Sequence, residues 1–461
     1  MNLKVKAPLD PQFLPMSVFW RDYERDAAGY PGTQTVTVNV ERDHGYCDYL
    51  KVQVFPEGVE RERTLLLLDR LVKTLLWTRG GWKITVHAAP WIENYFASVY
   101  GEGGAREFDR QCMSTVYGKP FTVAFASDPK EIAVRRDGAS KVGRHLNGCR
   151  IGFDAGGSDR KVSAVIDGES VYSEEVVWFP KINSDPQYHI DGILSAFKTA
   201  AAHMPRVDGI GVSSAGVYID NCTMVASLFN AVPKDQFESV VKTIYTDVAR
   251  QLGPDIPLVV ANDGDVTALA GAMDMNKGNV LGIAMGTSEA GGYVDQDMRL
   301  MGWLTELAFV PVDVNREAMA DEWSGDIGVG VKYFSQDAVI KLANAGGIEL
   351  DASLSPAEKL KVVQNALSQG NEGAKKIFET IGVYFGYAIA YYARFYEIEH
   401  VLIMGRVTSG EGGPIILNAA KDVLRAEFPD LAEKIALHIP DEKSRRVGQS
   451  VAAASLPEVC I

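Results

Sequence analysis

The stretch 151–161, IGFDAGGSDRK, places an acid, two glycines, a hydroxyl and a lysine around one turn. Ile151 and Phe153 suit a buried strand, and Lys161 to Ile166 resumes a β-like run beyond the turn. Gly156 and Gly157 let backbone N–H groups approach an anion, Ser158 adds a donor, Lys161 adds a positive charge, and Asp154 can hold a hydrated Mg²⁺. The same residues also make an ordinary hairpin turn. Further on, Leu258 to Ala261 reads as a buried strand that delivers Asn262-Asp263-Gly264-Asp265 to the start of a helix over 266–272. A carboxylate at a strand tip beside a helix N-terminus can serve as a general base, or it can cap the helix. Asp263 is assigned to chemistry and Asp265 to capping. A second glycine turn, MGTSEAGG over 285–292, offers Gly286, Thr287 and Ser288 to an anion. Two such turns, one per lobe, could grip a triphosphate from both sides.

These turns need α/β lobes to carry them. From Cys149 onward the pattern runs strand, strand, helix, strand, with a helix over 191–203, a strand over 209–212 and a turn Ser213-Ser214-Ala215-Gly216. A helix over 234–252 and a strand over 257–261 follow. The strands 280–285 and 291–294 begin a second α/β lobe. Later, strand Val401 to Met404 leads to Gly405, a glycine-rich loop over 408–413 containing Gly412 and Gly413, and a helix starting at Pro414, where a nucleoside could sit. Residues 1–147 read as mixed α and β, with strands over 33–40, 49–55, 83–86 and 121–125 and a helix over 61–78. They hold no chemistry-bearing constellation. Arg61, Glu62, Arg63 and Arg70 are expected on a solvated helix face, and Trp82, Trp91 and Tyr95 are expected to pack.

The chain has 461 residues, enough for two or three domains and a cleft between lobes. A net charge of −14 opposes a nucleic-acid partner held by phosphate contacts. Residues 1–147 carry 20 basic and 18 acidic side chains against 26 and 42 in the remainder, which supports a boundary near Asn147. Cys47, Cys112, Cys149, Cys222 and Cys460 form no CxxC pair, so a disulfide framework, a zinc site or an iron–sulfur cluster is not expected, and a reducing cytoplasm fits best. The N-terminus lacks an apolar leader, and no run can span a bilayer; 381–396, with its two glycines, five tyrosines and Arg394, reads as a buried helix.

Taken in order, the segments from about Arg150 to the C-terminus resemble the sugar-kinase, hsp70 and actin ATPase superfamily, and within it the ROK group that includes bacterial glucokinases. The first hairpin looks like the phosphate-1 element, GVSSAG over 211–216 the Gly-x-x-x-Pro-Gly segment, AND over 261–263 the catalytic Asn-Asp, and MGTSEAGG the phosphate-2 element. Residues 381–405 are similar to the helix and strand entering the adenosine motif. The resemblance implies two actin-like, ribonuclease H-like lobes with a cleft between them. They would span 148–265, rejoined by 442–461, and 266–441, beside an N-terminal α+β region over 1–147. It implies that Asp263 takes the proton of a sugar hydroxyl attacking the γ-phosphate of ATP, with Asp154 near Mg²⁺ through water. Asn262, Glu306, Ser214 and Gly216 would meet the sugar. Gly156, Gly157, Ser158, Lys161, Gly286, Thr287, Ser288, Gly405, Gly412 and Gly413 would meet the nucleotide.

The departures bear on the acceptor. In LTELAFVP over 304–311, Glu306 matches the family pattern while Phe309 stands where a histidine belongs. In SGDIGVGVKYFS over 324–335 the glycine spacing is right, but Glu322, Ser324 and Val329 replace cysteines and Val331 replaces a glutamate. Neither phenylalanine nor valine ligates zinc, so no structural zinc is expected. A pocket with fewer polar groups rejects an ordinary hexose, which points to a modified sugar or polyol rather than plain glucose. Arg406, where a second glycine is usual, alters the adenine contact. The expectation is an ATP- and Mg²⁺-dependent carbohydrate kinase, cytoplasmic, with no nucleic-acid or membrane partner and a homodimer by analogy alone. The alternatives are a catalytically silent sugar sensor, disfavoured as a repressor by the absence of an evident helix-turn-helix, and an ATPase that drives a partner.

Overall fold

The computed structural model describes residues 1–132, 135–137, 142–440 and 442–459, and the side chains of all of these except 442–447. Cys460 lies outside the described residues. The N-terminal elements are α1 (Met16–Ala27), β1 (Gln34–Glu41), β2 (Cys47–Val54), α2 (Arg61–Arg79), β3 (Lys83–His87), α3 (Pro90–Val99), α4 (Glu107–Tyr117) and β4 (Thr122–Phe125). The first lobe follows with β5 (Cys149–Ala155), β6 (Asp159–Ile166), β7 (Glu169–Val177), α5 (Pro186–Ala201), β8 (Gly209–Ser214), β9 (Val217–Ile219), β10 (Cys222–Val225), α6 (Lys234–Ser239), α7 (Ile244–Leu252) and β11 (Leu258–Asn262). Then come α8 (Asp263–Met275), β12 (Val280–Met285), β13 (Glu289–Val294), α9 (Gln336–Ala343), α10 (Pro356–Ser368) and α11 (Glu372–Tyr392). The chain closes with β14 (His400–Met404), α12 (Gly412–Glu427), α13 (Pro429–Lys434), β15 (Ala436–His438) and α14 (Glu442–Ala454).

The first-lobe sheet has the order β7-β6-β5-β8-β11, three antiparallel strands extended by two parallel ones. This is the ribonuclease H-like order expected of an actin-like lobe. The second-lobe sheet, β13-β12-β14-β15, repeats the plan with an antiparallel hairpin followed by parallel strands. β5 is buried at every position, which suits its central place, whereas β7 alternates between exposed and half-buried residues at the sheet edge. Helix α14 returns to the first lobe: a Cβ on Gly152 would strike the Ser450 carbonyl, and one on Gly211 the Ala453 carbonyl. Both positions therefore need glycine for the helix to seat on β5 and β8. Among the described residues, no helix is long and apolar enough to cross a membrane.

Some expected elements differ. The helix expected over 234–252 is broken at Val240, whose φ of −126° leaves the helical region, so α6 and α7 are separate. α5 starts earlier than the apolar pattern suggests, because the Asp185 side chain accepts the Gln187 N–H and Pro186 takes the first helical position. Arg70 is not on a solvated face. It is 6% exposed, since α2 is buried nearly all round between the N-terminal sheet and the second lobe.

Residues of the N-terminal sheet and helices share one hydrophobic cluster with the second lobe. Phe13 packs on Tyr384 at 4.6 Å between ring centres, and the Thr74 hydroxyl lies 2.6 Å from the Tyr391 hydroxyl on α11. Arg70, Lys73 and Arg106 converge on Asp326, with contacts of 2.9, 2.9 and 2.6 Å. On the other side, α4 lies against β10, and the His44 imidazole lies 3.1 Å from Asp220. The N-terminal region thus touches both lobes.

Candidate functional site

β5 and β11 both run parallel to β8, so their C-terminal ends deliver side chains to one edge of the sheet. Asp154 is in register with Ser213, and Ser213 with Ala261, one residue before Asn262. The Ser213 hydroxyl donates to Asp154 at 2.9 Å, and Gln449 of α14 donates to Ser213 at 3.1 Å. Burial pushes the Asp154 carboxyl up to about 6, against the pull of Lys161 and Ser213. Lys161 is tied to Asp159, 2.9 Å away.

Asn262 ends β11 and Asp263 begins α8. The capping role expected of Asp265 falls to Asn262, whose extended backbone lets its oxygen accept the Gly264 N–H at 2.8 Å. Asp265 already lies within the first turn, where its carboxylate accepts the Tyr293 N–H at 3.2 Å instead. The amide nitrogen of Asn262 donates to the Gly216 carbonyl at 2.7 Å. Ser214 is buried, its hydroxyl 2.7 Å from that of Tyr218 and 2.9 Å from that of Tyr245. Both partners belong to the first-lobe interior. A cavity of about 130 Å³ opens beside Gly216 and Asn262, walled by Tyr117, Tyr218, Asp265 and Trp303.

Asp263 sits among acids. Burial raises its carboxyl above the usual range, while the Gly264 N–H at 3.1 Å and the Lys181 ammonium draw it back. Asp265 is pushed up to about 7, chiefly by burial and further by the nearby Glu306 and Asp263 charges. Glu306 also reaches about 7, through burial and then Asp263. Near neutrality a group of this kind can donate or accept a hydrogen bond, which suits contact with a hydroxyl.

The first turn of α8 meets the second hairpin backbone to backbone. A Cβ on Gly264 would strike the Gly291 carbonyl, and one on Gly292 the Gly264 carbonyl. This close approach seats the middle of β13 against the helix start that carries Asp263. At its tip Thr287 and Ser288 are exposed, and Gly286 is fixed by accepting the Gln336 N–H at 2.9 Å. Gly405, at the end of β14, abuts Met285. Gly412 and Gly413, expected in an exposed loop, are instead the first helical residues of α12 and are buried. Their missing Cβ atoms make room for Phe378 and the Thr408 carbonyl. In the first hairpin, Gly156 and Ser158 are pinned by Trp178, whose indole N–H donates to the Gly156 carbonyl at 2.7 Å and whose backbone N–H donates to that of Ser158 at 3.1 Å.

The segment carrying Glu306 is held by α2. The N–H groups of Leu304, Thr305 and Glu306 donate to Arg79, Thr78 and Trp77 at 3.3, 3.1 and 3.0 Å, satisfying carbonyls that a helix C-terminus leaves free. Phe309 packs on Trp77 at 4.3 Å and on Trp323 at 5.3 Å between ring centres. Val331 is buried in the same cluster. Among the described residues, no group of three or more His, Cys, Asp or Glu side chains is arranged to hold a metal ion.

Three site residues escape sequence reasoning. Ser213 and Gln449 support Asp154 from a distance in sequence, and Glu289 is 3% exposed with both carboxylate oxygens lacking a hydrogen-bond partner among the described residues. Burial and the nearby Glu306 raise its carboxyl well above the usual range. Its place inside the second hairpin motif is the only local signal.

The residues present fit a nucleotide phosphate chain. In the β5–β6 hairpin Gly156 lies against the Asp159 carbonyl and Gly157 under the Lys181 side chain, with no room for a Cβ on either; the exposed hydroxyls of Thr287 and Ser288 tip the other hairpin, and Asp154 keeps a carboxylate at the C-terminal edge of the sheet.

No family model matches the chain, and no curated protein matches it in sequence. Solved structures are similar in fold. A ROK family transcriptional regulator, a homologue of the E. coli MLC protein, aligns with TM-score 0.54 and 17% identity over 68% of this chain and 79% of that one. The ROK hexokinase from Thermus thermophilus aligns with TM-score 0.52 and 16% identity, over 67% of this chain and 97% of the other. A putative sugar kinase from Cytophaga hutchinsonii gives TM-score 0.50 and 16% identity, over 66% and 98%. The chain therefore has the ROK-type sugar-kinase fold, with an α/β architecture of two actin-like lobes.

Proposed function

We propose that this protein is an ATP-dependent carbohydrate kinase in which Asp263 is the general base. The observation that carries the reading is the position of Asp263: a half-buried carboxylate of raised pKa at the tip of β11, on a helix start that packs on β13 of the second glycine hairpin and within electrostatic reach of Lys181, which overhangs the first. The acceptor hydroxyl would lose its proton to Asp263 as its oxygen forms a bond to the γ-phosphorus. The bond from that phosphorus to the bridging oxygen breaks, and ADP leaves with the electron pair. A raised pKa makes Asp263 a stronger base, and the nearby Lys181 ammonium helps keep it ionised.

Gly156, Gly157 and Ser158 on one side, and Gly286, Thr287 and Ser288 on the other, would hold the phosphate chain, with Gly405 nearer the nucleoside. Magnesium carried with the nucleotide would neutralise phosphate charge, and Asp154 would hold it through water. Glu306, with the backbone around Gly216 and Asn262, would face the acceptor. Phe309 and Val331, buried in the hydrophobic cluster where the family pattern has a histidine and a glutamate, offer the acceptor no polar contact, which favours a deoxy, N-acylated or otherwise modified sugar over plain glucose. Closure of the lobes would exclude water and limit ATP hydrolysis.

The fold alone is compatible with a silent sensor, since a transcriptional regulator shares it. The retained Asp263, Asp154 and Thr287 favour the kinase. The test is ADP release from MgATP across a panel of hexoses, deoxyhexoses, N-acylhexosamines and polyols. Sugar-stimulated release supports the reading, tight sugar binding without turnover supports the sensor, and plain glucose as best acceptor contradicts the substrate class.

A further inference from the structure

The lysine within the first glycine motif is not free. Lys161 is half-buried and held 2.9 Å from Asp159, on the strand position that faces Asp154 across the β5–β6 ladder. A different lysine overhangs the hairpin. The side chain of Lys181 crosses the open face of Gly157, with Cε and Nζ 2.9 and 3.1 Å from where a Cβ on that glycine would stand. The ammonium is exposed and has no ion-pair or hydrogen-bond partner among the described residues.

Its placement is built. β7 ends at Val177, and Trp178, 3% exposed, anchors the chain to the hairpin through the Gly156 and Ser158 carbonyls. The chain then turns through a short 3₁₀ segment, Pro180–Ile182, in which Pro180 is buried. The Phe179 N–H donates to the Tyr188 hydroxyl at 2.8 Å, and the Asn183 amide donates to the Phe179 carbonyl at 2.6 Å. The residues around Lys181 are thus fixed while its side chain reaches over the glycine turn. Its charge is also felt by Asp263, the proposed base.

We propose that Lys181, rather than Lys161, is the cation that meets the γ-phosphoryl group during transfer. This rests on the kinase reading above. An ammonium between the first hairpin and the base would neutralise charge on the outer phosphoryl oxygens, where the glycine backbone supplies only partial charges. Lys181 takes up no proton and forms no covalent bond in this role.

The experiment is calorimetric titration of wild type, Lys181→Met and Lys181→Arg with MgADP and with the non-hydrolysable analogue MgAMPPNP. Because Lys181 is exposed and unpaired, melting temperatures should match. Lys181→Met should weaken MgAMPPNP by about tenfold or more, as loss of a charge-assisted contact does, and change MgADP by less than about twofold. Lys181→Arg should restore most of the difference. Equal effects on both nucleotides, or no effect on either, overturn the proposal while leaving the kinase reading intact. A wild-type protein that binds neither nucleotide overturns both.

Discussion

The side-chain amide of Asn262 donates to the carbonyl of Gly216 at 2.7 Å while its oxygen caps the helix that begins at Asp263. One residue therefore fixes the helix start that carries Asp263, the proposed base, and ties it to the turn after β8. Asn262→Ala removes both bonds and should cost about 1 kcal/mol or more in urea denaturation. Asn262→Ser keeps a capping oxygen but cannot reach Gly216. It should retain most of the stability while KM for the acceptor rises, and unchanged acceptor kinetics in Asn262→Ser would assign Asn262 to capping alone.

Asp326 joins the N-terminal region to the segment that continues from Glu306. Its carboxylate meets Arg70, Lys73 and Arg106, and their charges hold it well below the usual carboxylate range despite burial. Asp326→Asn leaves these cations with less compensation and should cost about 3–5 kcal/mol, the scale for breaking a buried pair. Acceptor KM should rise more than nucleotide Kd changes. Urea denaturation and calorimetry measure the two effects separately.

Glu289 offers a test of opposite sign. Its folded-state pKa is raised, so the stability it contributes is present below the ordinary carboxylate pKa and is lost as pH rises through the folded value. Glu289→Gln should therefore raise the melting temperature at about pH 8 and give no such gain at about pH 4. A destabilised variant at the higher pH would mean that the ionised carboxylate is matched by a positive partner.

Phe309 and Val331 occupy an aromatic and aliphatic cluster with Trp77. Prolonged dialysis against a zinc chelator should leave the melting temperature of the free protein unchanged, whereas removal of magnesium should abolish tight nucleotide binding. A chelator-dependent drop in melting temperature would reveal a metal held by the fold.

The two lobes and their glycine turns are legible in the sequence because their signals are local. β5 and β12 are apolar runs, and each meets its turn within a few residues. The N-terminal connections are not local. Arg70 and Asp326 are 256 residues apart in sequence, and nothing near Arg70 distinguishes a buried ion-pair partner from a solvated face. The cap of α8 is misread as Asp265 for a related reason: several polar residues suit that helix start, and only the backbone conformation selects Asn262. Lys181 looks like any surface lysine until the turn at Pro180–Ile182 lays it over Gly157.

The proposed base is open to direct measurement. Rapid-quench single turnover with MgATP and the best acceptor, comparing wild type with Asp263→Asn across pH, reads the proton-transfer step apart from binding. The account predicts a wild-type rate that falls as pH drops through a pKa above the usual carboxylate range, because the base must be ionised. Asp263→Asn should bind nucleotide and acceptor yet lose turnover by about 10²-fold or more, with that acid limb gone. Turnover of Asp263→Asn near the wild-type rate, or with the acid limb retained, would contradict it.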